Sequence, residues 1–160
     1  RWQQQLERCC PAECPGEVSL AEYLEKFRPH KYSAAYGEVT STGLQTLLSE
    51  ASVDEKDYFC DLGSGCGRAV LQAYLSTGAA KSMGVELSLR RHKIARAALQ
   101  RLQDARLIES HRHIEFLHGD MLQADLRGFS VVYCASLTFH QEVLSSLARK
   151  LCLEARHGAR

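Results

Sequence analysis

Asp61 closes an apolar run, and glycine follows at positions 63, 65 and 67, so residues 61–67 read DLGSGCG. Glycine permits a tight turn and lets a ligand approach the backbone with no Cβ in the way. A helix that follows such a turn aims its free N–H groups at whatever sits there. Alone, the spacing fits many nucleotide sites, and it also fits a purely structural turn. Asp61 narrows the choice. A phosphate in this turn meets a fixed carboxylate and is repelled, whereas a cationic amine is tolerated or held through water. Glu86 stands nineteen residues after Gly67, at the end of a second apolar run, where an acidic side chain accepts both hydroxyls of a ribose. Asp120, in HGDML, suits an adenine amino group, with Met121 packing on the ring. Taken singly, Glu86 is equally a solvated strand end and Asp120 a helix cap. Together they outline an adenosine held across three strand ends with an amino-acid tail beside Asp61. S-adenosylmethionine has that outline. The chemistry expected is in-line attack on a sulfonium methyl, for which a protein mainly positions the partners and removes water.

Elements of the right kind surround these residues. Short apolar runs at 58–62, 81–87, 113–120 and 129–137 read as strands. Helical periodicity covers 67–78, 88–110 and 138–160 between and after them. Strands that alternate with helices imply an α/β fold, three-layered, with a mostly parallel sheet and helices on both faces. Ligands of such sheets bind at the carboxyl ends of the strands, where Asp61, Glu86 and Asp120 fall. Upstream, residues 1–18 read as an arm, 19–28 as a short helix capped by Ser19 and ended by Pro29, and 43–52 as a helix capped by Ser41 or Thr42. The division expected is an N-terminal arm with its helix over 1–34 and a catalytic domain over 35–160.

Composition excludes several classes. The chain has 160 residues, 45% hydrophobic and 24% charged, as a single globular domain would. No apolar run approaches the ~18 residues of a membrane helix, and the opening RWQQQLERCC has no apolar core of a secretion signal. A net charge of +1 offers little attraction to nucleic acid. Seven cysteines without a secretion signal read as reduced thiols in an intracellular protein. Cys9, Cys10 and Cys14 lack a fourth zinc ligand before His30, and alternation divides His111 and His113 from His118, so no metal site is expected. Cys60 and Cys134 read as packing residues. Cys66 reads as structural, or as a reactive thiol at a helix start. Arg90, Arg91, Arg96, Arg101 and Arg106 read as a solvated helix face, or as a nucleic-acid footprint.

The stretches YGE (36–38), FCDLGSGCGRAVLQA (59–73), GVE (84–86) and GDML (119–122) resemble one family closely. They resemble the disruptor-of-telomeric-silencing (Dot1-like, non-SET) histone lysine methyltransferases, a branch of the Rossmann-like class I methyltransferases. The similarity runs from about residue 35 to 151. It implies that Tyr36, Gly37 and Glu38 form a loop closing over the methionine part of S-adenosylmethionine. It implies that Asp61, Gly63, Ser64, Gly65, Gly67 and Arg68 cradle that part from the other side. Glu86 would bind the ribose, and Asp120 and Met121 the adenine. The target amine would enter a channel beside Tyr36, Ser136 and Phe139. The family pattern NNFAF reads ASLTF here, so Ala135 and Ser136 stand at the paired asparagines, and Arg68 stands where glutamine is common. The family sheet continues beyond this point, so truncation after strand four and its helix is expected. The implied partner is a protein substrate of histone or nucleosome type, and the implied compartment is nuclear, with cytoplasmic the alternative. A methyltransferase for another protein or a small molecule, and a degenerate cofactor-binding module, are the competing readings. A dehydrogenase comes last, because Asp61 occupies the phosphate position.

Overall fold

The computed structural model describes residues 1–10 and 16–160. Four parallel strands form one sheet: β1 (Tyr58–Leu62), β2 (Lys81–Glu86), β3 (His113–His118) and β4 (Val131–Tyr133). Their order is β3-β2-β1-β4, so the chain reverses its direction of travel across the sheet beside β1. In register, Asp61 pairs with Gly84 on one side and Tyr133 on the other. The sheet is therefore α/β and parallel as expected, with the crevice at the carboxyl end of β1.

Alternation along the strands supplies two apolar layers. Phe59, Ile114, Phe116 and Val131 face one layer with Val70, Leu71 and Tyr74 of α4 (Arg68–Ser76) and Ala95, Ala98, Leu99 and Leu102 of α5 (Leu89–Asp104). Cys60, Leu62, Met83 and Val85 face the other, with Leu126, Phe129 and Val143 and Leu147 of α6 (Gln141–Glu154). β1 is buried at every residue after Tyr58, which is why it reads as an unbroken apolar run.

The structure departs from the sequence reading at several elements, and β4 and α6 are shorter than the runs read at 129–137 and 138–160. The arm opens as a helix, α1 (Trp2–Cys9), because Leu6 and Cys9 lie one turn apart and are buried in the α4–α5 layer. The helix at 19–28 is a composite: α2 (Leu20–Glu22), a π turn (Tyr23–Phe27) and a 3-10 turn (Arg28–His30) that accommodates Pro29. Ser19 does cap its start, accepting from the Glu22 N–H at 3.2 Å. Thr40, rather than Ser41 or Thr42, caps α3 (Ser41–Glu50), accepting from Gly43 N–H at 3.0 Å. α5 stops at Asp104, and a left-handed Arg106 turns the chain toward β3. Along the outer edge of β4, Arg160 N–H donates to Ser130 O and Val132 N–H donates to Arg160 O, both at 2.9 Å.

Cys9, Cys10, Cys60, Cys134 and Cys152 are free thiols, and Cys60 is fully buried as a packing residue. Cys66 is disulfide-bonded, so it is not a reactive thiol. The candidate ligand Cys14 lies outside the described residues, among which no cluster of His, Cys, Asp and Glu is fit for a metal ion. No helix among them is long and apolar enough to cross a membrane.

Leu6 is 1% exposed and is the main apolar anchor of α1. Leu6→Ala is expected to cost about 3 kcal/mol of unfolding free energy in a urea titration. A loss under about 0.5 kcal/mol would show that α1 does not dock in solution.

Candidate functional site

The turn after β1 is built by backbone bonds to β2. Gly63 N–H and Ser64 N–H both donate to Val85 O, at 2.9 and 3.0 Å. Gly63, Gly65 and Gly67 all take positive φ, at 86°, 54° and 85°, which explains glycine at every second position. A Cβ on Gly65 would stand 2.7 Å from the Tyr36 ring, so the turn and residues 36–38 pack against each other. Gly67 then caps α4, whose first turn opens toward the crevice.

A cavity of about 630 Å³ lies there, lined by the ends of β1, β2 and β4 and by residues 35–39. Its walls include Tyr36, Gly37, Glu38, Asp61, Gly63, Ser64, Gly65, Arg68, Glu86, Met121, Ser136 and Phe139 from the sequence assignment. The structure thus brings these residues together. Gly67 and Asp120 do not line it; Gly67 packs on Phe116 and Ala95, and Asp120 is flanked by Gly119 and Met121, which do. Asp120 Oδ1 accepts from Tyr32 O–H at 2.5 Å and Leu122 N–H at 2.8 Å, closing a turn. Ser64 Oγ is buried over Gly84 with no hydrogen-bond partner among the described residues.

Two buried carboxylates face this space. Glu86 is 4% exposed and accepts from Gly65 N–H at 2.7 Å and Ser88 N–H at 2.8 Å. Each oxygen keeps a free lone pair, so the side chain is fixed yet still able to accept. Asp61 is 3% exposed, and burial together with the charge of Glu86 pushes its carboxyl up to about 8. Burial also raises Glu86, against the pull of its backbone donors and Arg91. A site with this electrostatic character is short of positive charge at Asp61.

Tyr36 O–H donates to Glu38 and accepts from Cys66 N–H at 3.4 Å, which links residues 36–38 to the turn. Arg68 lines the cavity, but its guanidinium turns outward, donating to Cys10 O at 2.6 Å and to Glu7. Ser136 and Phe139 are half-buried at the mouth beside Ala135, Leu137 and Thr138, and Leu137 is fully exposed. Sequence reasoning missed Arg91. It is 5% exposed and lines the cavity, whereas Arg90 and Arg96 are exposed as expected of a solvated face. The signal was its spacing: Arg91 is in register with the buried Ala95, Ala98 and Leu102.

A raised carboxyl has a consequence for stability. Between the ordinary aspartate value of ~3.9 and about 8, folded Asp61 holds a proton that the unfolded chain has lost. Its contribution is therefore full at low pH and is lost as pH rises toward 8. The ligand-free chain is expected to melt at progressively lower temperature from pH 5 to pH 8, and Asp61→Asn should flatten that fall. Asp57 and Glu115, whose carboxyls are held low, act below this window.

Comparison with known proteins agrees with this geometry. A histone-lysine N-methyltransferase, H3 lysine-79 specific, from Caenorhabditis elegans is 25% identical over 157 residues, covering 92% of this chain and 16% of that protein. Its counterpart from Eremothecium gossypii is 36% identical over 69 residues, covering 43% of this chain and 12% of that protein. The chain thus spans about one sixth or less of these relatives' length. The crystal structure of an RNA methyltransferase from Salinibacter ruber, in complex with S-adenosyl-L-homocysteine, superposes with a TM-score of 0.62. It shares 29% identity over 75% of this chain and 72% of that one. A methyltransferase from Thiobacillus denitrificans shares the fold at 18% identity and a TM-score of 0.57, covering 89% of this chain and 54% of that one. The Rossmann-like class I methyltransferase fold is therefore the fold of this protein. The family model for histone methylation protein DOT1 matches residues 17–160, and the chain belongs to that family.

Proposed function

We propose that this chain is an S-adenosylmethionine-dependent protein-lysine methyltransferase acting on a histone, with residues 35–160 as the catalytic unit. The observation that carries the reading is the buried Asp61–Glu86 pair at adjoining strand ends, one carboxyl uncompensated and the other already oriented. That donor set fits the cofactor. Asp61 and the turn from Gly63 to Gly67 would hold its cationic amino-acid end, Glu86 its ribose and Met121 its adenine. Asp120 would meet the adenine through the carboxylate oxygen that Tyr32 and Leu122 leave free. The bound cofactor supplies a methyl group activated on sulfonium.

The chain's own part is to bring a neutral amine to that group. Tyr36, Ser136 and Phe139 would form the channel wall, with Leu137 at its outer lip. An apolar channel disfavours the ammonium form of lysine, so the amine sheds its proton on entry. The carboxyl groups on the cavity wall are Glu38, Asp61 and Glu86, and each is placed for binding rather than for taking that proton. The H3 lysine-79 specific relatives support a histone or nucleosome as partner and the nucleus as compartment.

Calorimetric titration is expected to show binding of S-adenosylmethionine and none of a dinucleotide. Glu86→Ala should weaken that binding about tenfold or more; unchanged affinity would remove Glu86 from the site. A cation beside Asp61 favours its charged form, so binding at pH 7 should release up to about one proton. Titrations in buffers of different ionisation enthalpy read that proton, and Asp61→Asn should abolish it. Methyl transfer from labelled cofactor to nucleosomes tests the acceptor. Label on RNA alone, or on free small amines alone, would refute the histone reading while leaving the cofactor site intact.

A further inference from the structure

Arg91 is a buried cation of this site, and both hydrogen bonds of its guanidinium lead to the N-terminal segment. Its Nε–H donates to Gly16 O at 2.7 Å, and its Nη2–H donates to Ala34 O at 2.7 Å. Its guanidinium carbon lies 4.7 Å from the centre of the Tyr36 ring and 5.9 Å from that of Phe27. Gly16 is pressed on the same Tyr36 ring, where any Cβ would stand within about 2 Å of it. Tyr36 is thus confined by Gly16, by Gly65 of the turn and by the guanidinium. The same guanidinium lies in the field of Glu86 at the end of β2. No other described side chain donates to both Gly16 and Ala34.

We propose that Arg91 is a positioning residue, a latch that ties the Gly16 and Ala34 segments to α5 and seats Tyr36, so that residues 34–38 stand closed over the cofactor crevice. The proposal rests on the cofactor reading above only for the identity of the ligand; the latch itself is a property of the ligand-free chain. Arginine is required by the geometry. A planar fork donates along two directions to two separate carbonyls while offering a flat face to the Tyr36 ring. A lysine ammonium keeps the charge near Glu86 but lacks the fork and the face.

Two measurements test the latch. Amide hydrogen exchange on the ligand-free chain comes first, comparing wild type with Arg91→Lys. Exchange at residues 33–38 should rise about tenfold or more in the variant, with β1, β2 and β3 unchanged. Equal protection at 33–38 overturns the latch, and this arm needs no cofactor, so it judges the latch even if wild type binds none. Wild type failing to bind would instead defeat the cofactor reading. The second measurement is the affinity for S-adenosylmethionine of Arg91→Lys, Tyr36→Leu and the double variant. Each single variant should lose about tenfold, and the double variant no more than the worse single, because both break one latch. Independent losses that multiply overturn it. Should Arg91→Lys melt below the assay temperature, Tyr36→Leu, which spares both backbone bonds of Arg91, decides alone. Exchange at 33–38 and affinity within about twofold of wild type then overturn the proposal.

Discussion

The hydrogen bond from Gly65 N–H to the Glu86 carboxylate is the constraint on which the rest of the site depends. It joins the turn after β1 to the end of β2 and fixes an acidic side chain in a buried place. A carboxylate left there without donors would take up a proton or open the structure. With Ser88 N–H on its other oxygen, Glu86 stays in place and Asp61 beside it bears the electrostatic cost. The three positive-φ glycines serve this bond, since the backbone must curl back to β2 within a few residues.

Arginines do the remaining assembly, each by capturing main-chain carbonyls. Arg68 takes Cys10 O and Arg101 takes Cys9 O at 3.1 Å, so the C-terminal end of α1 is held by cations from α4 and α5. Arg91 takes Gly16 O and Ala34 O farther along the chain. Three side chains from two helices thus hold the main chain at Cys9, Cys10, Gly16 and Ala34. This accounts for arginine at position 68. Its charge serves the α1 terminus, and the cavity keeps only its stem and flank.

The mouth of the cavity differs in kind from its floor. The floor is backbone amides and fixed carboxyl groups; the mouth is Ala135, Ser136, Leu137, Thr138 and Phe139. Small side chains at 135 and 136 leave the rim lined by an exposed Leu137 and a half-buried Phe139. Floor and rim are thus built from different chemistry.

The sequence by itself determined the local and periodic features. β1 and α4 were legible because an apolar run, an aspartate and alternate glycines are all local signals. Glu86, Met121 and the loop at 36–38 were legible from strand ends and from the family pattern. What only the tertiary structure decided were features set by distant partners. α1 has good helix formers but is only eight residues long, too short to hold by propensity alone, so it depends on burial of Leu6 and Cys9. Arg91 is buried because three segments converge on it, although on its own helix it looks like one of a row of solvated arginines. Asp120 was legible as an acidic strand-end residue, but Tyr32, 88 positions away, decided which of its oxygens is already engaged. Strand and turn preferences act over a few residues and are written in order along the chain. Charge burial, capping by a distant side chain and closure of a strap are long-range balances that exist only once the chain has folded.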